Sequence, residues 1–134
     1  MPELKNIKMT EEQIHNFEKV QAQLDGLHIE ISVISKKSQN DALNKFKLKF
    51  VNQTLKEANL ILTDKYKPFE DFEKFDDEDL PTNSDVNLIL GQYLNCMEKL
   101  RTDNIERTGI NKWVWTSNNK ATQIITSQPL KLKK

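Results

Sequence analysis

The chain has 134 residues, of which 37% are hydrophobic and 30% charged, with a formal net charge of zero and one cysteine. This length suits a single domain with its own core, and a lone cysteine excludes an internal disulfide. The neutral balance argues against steering of the whole protein towards nucleic acid, although residues 70–85 are strongly acidic and residues 111–134 carry five lysines and no acid.

The composition is polar and poor in glycine and proline, which suits long amphipathic helices that each bury one stripe. No stretch of the sequence has the roughly 20 apolar residues that span a bilayer. The start of the sequence has no apolar core of signal-peptide length. We therefore expect a soluble, cytoplasmic protein that does not bind membranes.

The first helix is predicted over about residues 10–36, because apolar residues recur there at steps of three and four. Thr10 and Gln13 have the spacing of a capping box. A strand over residues 27–34 is the alternative, because "LHIEISVI" alternates. We favour one helix, since the stripe keeps its phase through Gly26 and a glycine costs only about 1 kcal/mol there. The stripe comprises Ile14, Phe17, Val20, Leu24, Leu27, Ile31 and Ile34.

The second helix is predicted over about residues 39–63, with Ser38 as its N-cap. Its apolar face is expected to point towards the other helices. That predicted face comprises Leu43, Phe46, Phe50, Leu55, Ala58 and Leu62, widened by Val51 and Ile61.

The third helix is predicted over about residues 84–107 and is capped by Asn83 or Ser84. We expect it to end near Gly109, because glycine readily adopts the left-handed conformation that closes helices. Its apolar stripe comprises Val86, Ile89, Tyr93, Met97, Leu100 and Ile105.

A β-hairpin is predicted over about residues 112–126. "KWVWT" alternates, "SNNK" is turn-rich and "ATQIIT" is β-prone. Two strands alone are marginal in water, so the hairpin must cover another part of the protein. Residues 1–8 and 129–134 are expected to be flexible.

Together these elements predict a mainly α fold in one domain spanning residues 1–134. Three helices of this length favour an elongated antiparallel bundle. The short link between the first two helices suits a helical hairpin, and the longer link between the second and third is an acidic-aromatic crossover. The C-terminal β-hairpin would pack on one end or along one side of the bundle.

The link between the second and third helices combines rings and carboxylates. Residues 66–85, "YKPFEDFEKFDDEDLPTNSD", contain four aromatic rings and eight carboxylates. The rings recur at every third residue, which predicts a short helical or 3₁₀ segment with rings on one face and acids on the other. The rings belong to Tyr66, Phe69, Phe72 and Phe75.

Two interpretations of this stretch are open. In the first, it is a strap whose three phenylalanine rings pack on the helices while Glu70, Asp71 and Glu73 face water. In the second, it is an acidic, aromatic segment that docks on a basic partner. We favour the strap, because burial of one phenylalanine side chain contributes about 2 kcal/mol.

Motifs for catalysis or metal binding are missing from the sequence. "DFEKFDDEDLPT" lacks the glycine and the closing glutamate of an EF-hand calcium loop. His15 and His28 fall on different faces of the first helix, and Cys96 lies in an apolar context where thiols are inert. We therefore predict no catalytic residue, no cofactor and no metal site, and nothing in the sequence calls for an enzyme. An enzyme with helical carboxylates is the remaining alternative, and it would need a pocket in which Glu and Asp converge without basic neighbours. Surface ion pairs are predicted among Glu98, Lys99, Arg101, Asp103, Glu106 and Arg107.

The function that we predict is that of a small, non-enzymatic protein-interaction module. Its partner is another protein or a second copy of itself, because broad apolar stripes are most simply covered in a symmetric dimer. Large aromatic side chains are typical anchors of such interfaces. The candidate interaction residues are Trp113, Trp115, Phe69, Phe72 and Phe75.

The alternative is a nucleic-acid accessory protein. Lysines of the second helix would contact phosphates, and the tryptophans and lysines of the tail would stack on bases and bind the backbone. The acidic crossover would mask the basic face until nucleic acid displaces it. The candidate phosphate contacts are Lys45, Lys49, Lys56, Lys131 and Lys133.

Overall fold

The computed structural model describes residues 9–130, which form three helices followed by a three-stranded antiparallel sheet. The helices are α1 (Glu11–Ser38), α2 (Lys45–Tyr66) and α3 (Asn83–Thr102), with a 3₁₀ turn at Asp77–Asp79. The strands are β1 (Ile105–Gly109), β2 (Lys112–Ser117) and β3 (Lys120–Thr126), in the order β1-β2-β3. The mainly helical class and the C-terminal hairpin are therefore confirmed.

The helices of this described region share one apolar core with β2. None of them has the length and apolar content needed to span a bilayer. Residues 1–8 and 131–134, which the sequence predicts to be flexible, lie outside the described residues. Leu130, within the second predicted flexible stretch, is held by a hydrogen bond from its N–H to Glu98 at 2.8 Å.

Helix α1 begins with the predicted capping box and continues without a break. The N–H of Thr10 donates to Oε1 of Gln13 at 2.8 Å, and the N–H of Gln13 donates to Oγ1 of Thr10 at 3.1 Å. Residues 27–34 are helical, so the strand alternative is wrong. Gly26 lies in the helix with no atom within 4 Å of the position that a Cβ would take, because its side of the helix faces solvent.

Helix α2 begins later than predicted, and two of its predicted core residues are exposed. Asn44 caps it by accepting from the N–H of Lys47 at 2.8 Å, whereas Ser38 is the last residue of α1 and not a cap. The rings of Phe46 and Phe50 are 69% and 41% exposed, so their predicted core positions are wrong. The buried face of α2 comprises Leu48, Val51, Leu55, Ala58 and Leu62.

The cause of this error lies in the helical period. The predicted stripe steps by five residues from Phe50 to Leu55, and five residues rotate by about 500°, or about 140° beyond one full turn. Phe50 and Leu55 therefore cannot share a face. Leu48, Val51 and Leu55 follow one another at steps of three and four residues, so they form one unbroken stripe.

Helix α3 ends five residues earlier than predicted, at Thr102. Its N-cap is Thr82, which accepts from the N–H of Asp85 at 3.1 Å, so the predicted caps Asn83 and Ser84 are helical residues instead. Ile105–Gly109 forms β1 and not the last turn of a helix. Gly109 has no positive φ, so its predicted role as a left-handed helix cap is wrong.

The sheet uses asparagines for its tight turns and covers the N-terminal half of α1. Asn118 and Asn119 join β2 to β3 with φ of 53° and 68°, the pair of positive values typical of a type I′ turn. Trp115 of β2 is fully buried. Its ring meets that of Phe17 edge to face at 5.0 Å, and its Nε1 donates to Oε2 of Glu18 at 3.2 Å.

A buried ion pair on α3 holds the segment that follows β3. Nε and Nη2 of Arg101 each donate to a carboxylate oxygen of Glu98 at 2.8 Å, and the two side chains are 4% and 7% exposed. Arg101 also donates to Oγ1 of Thr126 and to the carbonyl oxygens of Ser127 and Gln128. The predicted surface location of the Glu98 and Arg101 charges is therefore wrong, because the C-terminal segment covers them.

Replacement of Arg101 by Met should lower the free energy of unfolding by about 3–5 kcal/mol, because it leaves the carboxylate of Glu98 buried without its partner. The double change Glu98→Gln and Arg101→Met should cost less than the sum of the two single changes. Urea unfolding followed by circular dichroism measures both values, with exposed Lys99→Met as the control. A loss below about 1 kcal/mol for Arg101→Met would contradict this account of the pair.

Candidate functional site

The crossover, residues 67–82, is tied along α2 by two asparagine side chains. Nδ2 of Asn52 donates to the carbonyl of Phe75 at 2.9 Å, and the N–H of Phe75 donates to Oδ1 of Asn52 at 2.9 Å. Nδ2 of Asn59 donates to the carbonyl of Glu73 at 3.0 Å. Asn52 and Asn59 lie two helical turns apart and so project from the same side of α2. The crossover therefore runs back along the helix that precedes it.

The aromatic rings of the crossover are only partly buried. Phe72 and Phe75 are half-buried against the core and meet edge to face at 5.0 Å. Phe69 is 37% exposed, so its predicted burial is wrong, while Glu70 and Asp71 face water as expected. The structure thus matches the strap interpretation for two of the three phenylalanines.

The predicted helical or 3₁₀ segment does not form at these rings. Residues 67–76 contain turns and bends only, and the 3₁₀ turn begins at Asp77. The reason is the backbone of Phe75, which places both its N–H and its carbonyl on the side-chain amide of Asn52. The backbone N–H and carbonyl of Phe75 are therefore not available for the hydrogen bonds between successive turns that a helix needs.

A groove of about 830 Å³ opens between α2 and the crossover. Four lysines line it, together with the side-chain amides of α2. Lys67 is partly neutralised, because its Nζ lies 3.3 Å from Oδ1 of Asp64 and 3.8 Å from Oε2 of Glu73. The three other groove lysines form no ion pair with any residue from 9 to 130. They are Lys49, Lys56 and Lys74.

One of the residues that line this groove has a strained backbone. Thr63 has φ of 58° and ψ of −174° within α2, and a β-branched residue at positive φ is a genuine outlier. Its Oγ1 donates to the carbonyl of Leu62 at 2.5 Å, and its own carbonyl accepts from the N–H of Lys67 at 3.0 Å. Strain of this kind costs about 1–3 kcal/mol and is concentrated at functional sites.

Beside the groove, α2 exposes two aromatic rings to solvent. Phe46 and Phe50 meet edge to face, with centroids 5.0 Å apart. Nζ of Lys49 lies 6.0 Å from the centroid of the Phe50 ring, so this lysine links the rings to the groove. Exposed Leu60 lies further along α2 and lines the groove. We call this strip the α2 outer face: Phe46, Lys49, Phe50, Lys56 and Leu60.

The structure separates the residues that the sequence analysis proposed for partner binding. Trp115 is fully buried and Trp113 half-buried, so Trp115 cannot contact a partner in this conformation. Its large side chain anchors the sheet on α1 instead. The three phenylalanines of the crossover lie on α2, away from this packing.

The proposed phosphate contacts are also divided. Lys49 and Lys56 line the groove. Lys45 is exposed and does not line it. The other two proposed contacts, Lys131 and Lys133, lie outside the described residues. Sequence reasoning missed Lys67 and Lys74. Lys67 follows Lys56 by about three helical turns, a spacing that could have identified it.

Two titratable groups near the crossover are held in their neutral forms. Burial raises the pKa of Tyr93, the hydroxyl of which donates to Oδ1 of Asn59 at 2.7 Å. Burial also raises the pKa of the Cys96 thiol, and the nearby charge of Lys99 offsets this only in part. Within residues 9–130, no three His, Cys, Asp or Glu side chains converge as metal ligands.

No protein-family model, no curated protein and no solved structure matches this chain. Function is therefore inferred from the groove and the α2 outer face. The two surfaces share Lys49, Lys56 and Leu60, so they form one continuous region of the molecule.

Replacement of Asn52 by Ala should release the middle of the crossover, because it removes both hydrogen bonds to Phe75. We expect faster amide hydrogen exchange at Phe75 and a loss of about 1–3 kcal/mol in the free energy of unfolding. Gln53→Ala is the matched control, since Gln53 is exposed and neighbours Asn52. Equal exchange rates at Phe75 in both variants would show that these bonds do not hold the crossover.

Proposed function

We propose that this protein is a non-enzymatic interaction module that binds a protein partner through the α2 outer face. The observation that carries this proposal is the exposed pair of rings, Phe46 and Phe50, 5.0 Å apart on one side of α2. Full burial of a phenylalanine side chain contributes about 2 kcal/mol, so a partner that covers the exposed parts of these rings gains a share of that energy. Clustered exposed rings are typical of interfaces, where aromatic side chains are the usual anchors.

The charges around these rings support a partner with acidic character. Lys49 lies beside the Phe50 ring and Lys56 lines the groove, and neither has a carboxylate partner among residues 9–130. Complementary charge accelerates association and disfavours wrong partners. We infer that the partner surface combines an apolar anchor with carboxylates. The cytoplasmic location expected from the sequence stays a prediction.

We also infer that α1 runs antiparallel to both other helices in an elongated bundle. Two contacts near the C-terminal end of α1 support this arrangement. Oγ of Ser32 donates to Oδ1 of Asn87, in the second turn of α3, at 2.7 Å. Lys47, in the first turn of α2, pairs with Glu30 of α1.

The same reasoning supports a parallel orientation of α2 and α3. Asn59 of α2 bonds to Tyr93 of α3. About two turns further along α2, Tyr66 donates at 2.5 Å to Oδ2 of Asp103, the C-cap residue of α3, which lies nearly three turns beyond Tyr93. Burial raises the pKa of Tyr66, and Asp103 raises it further, so this hydroxyl stays a donor. A parallel pair needs a crossover that returns along α2, as the asparagine contacts indicate.

The nucleic-acid alternative has one observation in its favour, the four lysines that line the groove. Lysines along a groove track phosphates through their charge. Asp76 and Asp77 line an adjoining cavity together with Lys49 and Lys74, which fits the idea that acids mask the basic groove. Nucleic acid bound in this groove would leave the exposed rings Phe46 and Phe50 without a role, so we rank this function second.

Replacement of both Phe46 and Phe50 by Ser should abolish partner binding while the protein stays folded, because both rings are exposed. Affinity capture from the source cell, with quantitative mass spectrometry, should recover a partner with the parent protein and at least about tenfold less with this variant. Ile125→Ser on β3 removes an equally exposed apolar side chain and is the control. Recovery of the same proteins at the same level by all three would contradict binding through the α2 outer face.

Oligonucleotide binding separates the two candidate functions. We expect no binding of single- or double-stranded oligonucleotides in fluorescence anisotropy at about 50 mM salt, a condition that favours phosphate contacts. Binding that weakens steeply as salt rises, and that disappears in the variant Lys49→Glu and Lys56→Glu, would establish the nucleic-acid function instead. Charge reversal of Lys112 and Lys120 in the sheet is the control.

A further inference from the structure

The surface that carries the α2 outer face also carries an acidic strip of opposite charge. The crossover exposes Phe69 near the end of α2 and Leu80 near its start, with carboxylates between them. We call this strip the crossover ridge: Phe69, Glu70, Asp71, Asp77 and Leu80. None of its carboxylates forms an ion pair with a residue in the described region 9–130.

The two strips lie side by side and in matching order along α2. The hydrogen bond of Asn59 to Glu73 places the first part of the crossover beside the second half of α2, where Leu60 lies. The hydrogen bond from the N–H of Leu43 to the carbonyl of Pro81, at 2.9 Å, places the end of the crossover beside the start of α2, close to Phe46. The ridge therefore has apolar ends and carboxylates between them, and the α2 outer face has apolar ends with Lys49, Phe50 and Lys56 between them.

We propose that two copies of this chain form a symmetric dimer in which the crossover ridge of each copy docks on the α2 outer face of the other. A two-fold axis that runs along α2, between the two strips, places each ridge on the opposite outer face without changing the order of residues along α2. Phe69 then meets Leu60 of the other copy, and Leu80 meets Phe46. The carboxylates between them face Lys49 and Lys56.

This inference rests on the proposed function and names its partner. A second copy matches the two apolar ends and the two lysines of the α2 outer face, because it brings an exposed ring, an exposed leucine and unpaired carboxylates in the needed order. The assembly stops at two copies, because the ridge and the outer face of each copy are both occupied and neither is free to bind a third copy. Ion pairs across such an interface set its orientation and its salt dependence.

Paired charge reversals test this arrangement. The first variant carries Lys49→Glu and Lys56→Glu, which makes both strips acidic, and the second carries Asp71→Lys and Asp77→Lys, which makes the ridge basic. Sedimentation equilibrium from micromolar to millimolar concentration should show a dimer for the parent protein. Each variant alone should dimerise at least about tenfold more weakly, and an equimolar mixture of the two should recover the dimer.

The matched control reverses Lys112 and Lys120, which are exposed on the sheet, and should dimerise like the parent. Circular dichroism verifies that each variant is folded, and the single changes Lys56→Glu and Asp71→Lys replace any double variant that is not. A parent protein that is monomeric at every concentration overturns the dimer, as does a dimer that neither reversal weakens or a mixture that does not recover. A monomeric parent that still captures another protein through Phe46 and Phe50 would leave the proposed function standing.

Discussion

The side-chain amide of Asn52 is the contact on which the arrangement of α2, the crossover and α3 depends. An amide offers one acceptor and two donors, so it can pair with the N–H and the carbonyl of a single residue as a neighbouring strand would. Asn52 does this with Phe75, and Asn59 repeats half of it at Glu73 two turns later. These hydrogen bonds hold the crossover along the length of α2. The chain therefore returns to the start of α2, and α3 begins beside Leu43.

Fixing the crossover in this way creates both surfaces of functional interest. On its inner side, Phe72 and Phe75 cover part of the apolar core. On its outer side, its backbone forms one wall of a groove, and α2 with Lys49 and Lys56 forms the other. The buried and exposed parts of the crossover therefore arise from the same few hydrogen bonds, and the groove exists because the strap lies beside α2 rather than across it.

The sequence was sufficient for features that depend on local periodicity, although of the predicted helix caps only the one at the start of α1 forms. The capping box of Thr10 and Gln13, the passage of α1 through Gly26, and the asparagine turn of the hairpin all follow from residues that are close in the chain. The buried face of α2 could also have been predicted from the sequence, since Leu48, Val51 and Leu55 recur at steps of three and four. Aromatic rings were given too much weight there, because a phenylalanine contributes strongly to an apolar face whichever way it points.

Features that depend on distant residues were not predictable in the same way. Ile105 fits a helical stripe as well as a strand, and only its pairing with Trp115 decides between them. The two groove lysines on α2 were predictable, because Lys49 and Lys56 lie seven residues apart and so share one side of the helix. Lys74 enters from the crossover, so it could not be placed before the crossover was positioned, and no pattern in the sequence marks the positive φ of Thr63.

The distribution of paired and unpaired charge indicates which parts of the molecule stabilise the fold and which are available for recognition. Glu98 and Arg101 are buried and fully bonded, and they hold the C-terminal segment on α3. Exposed charges such as Lys56 and Asp71 contribute little to stability, so the fold places few constraints on them. Their order along α2, between apolar ends that water does not favour, is what a binding surface requires and what a purely structural face does not.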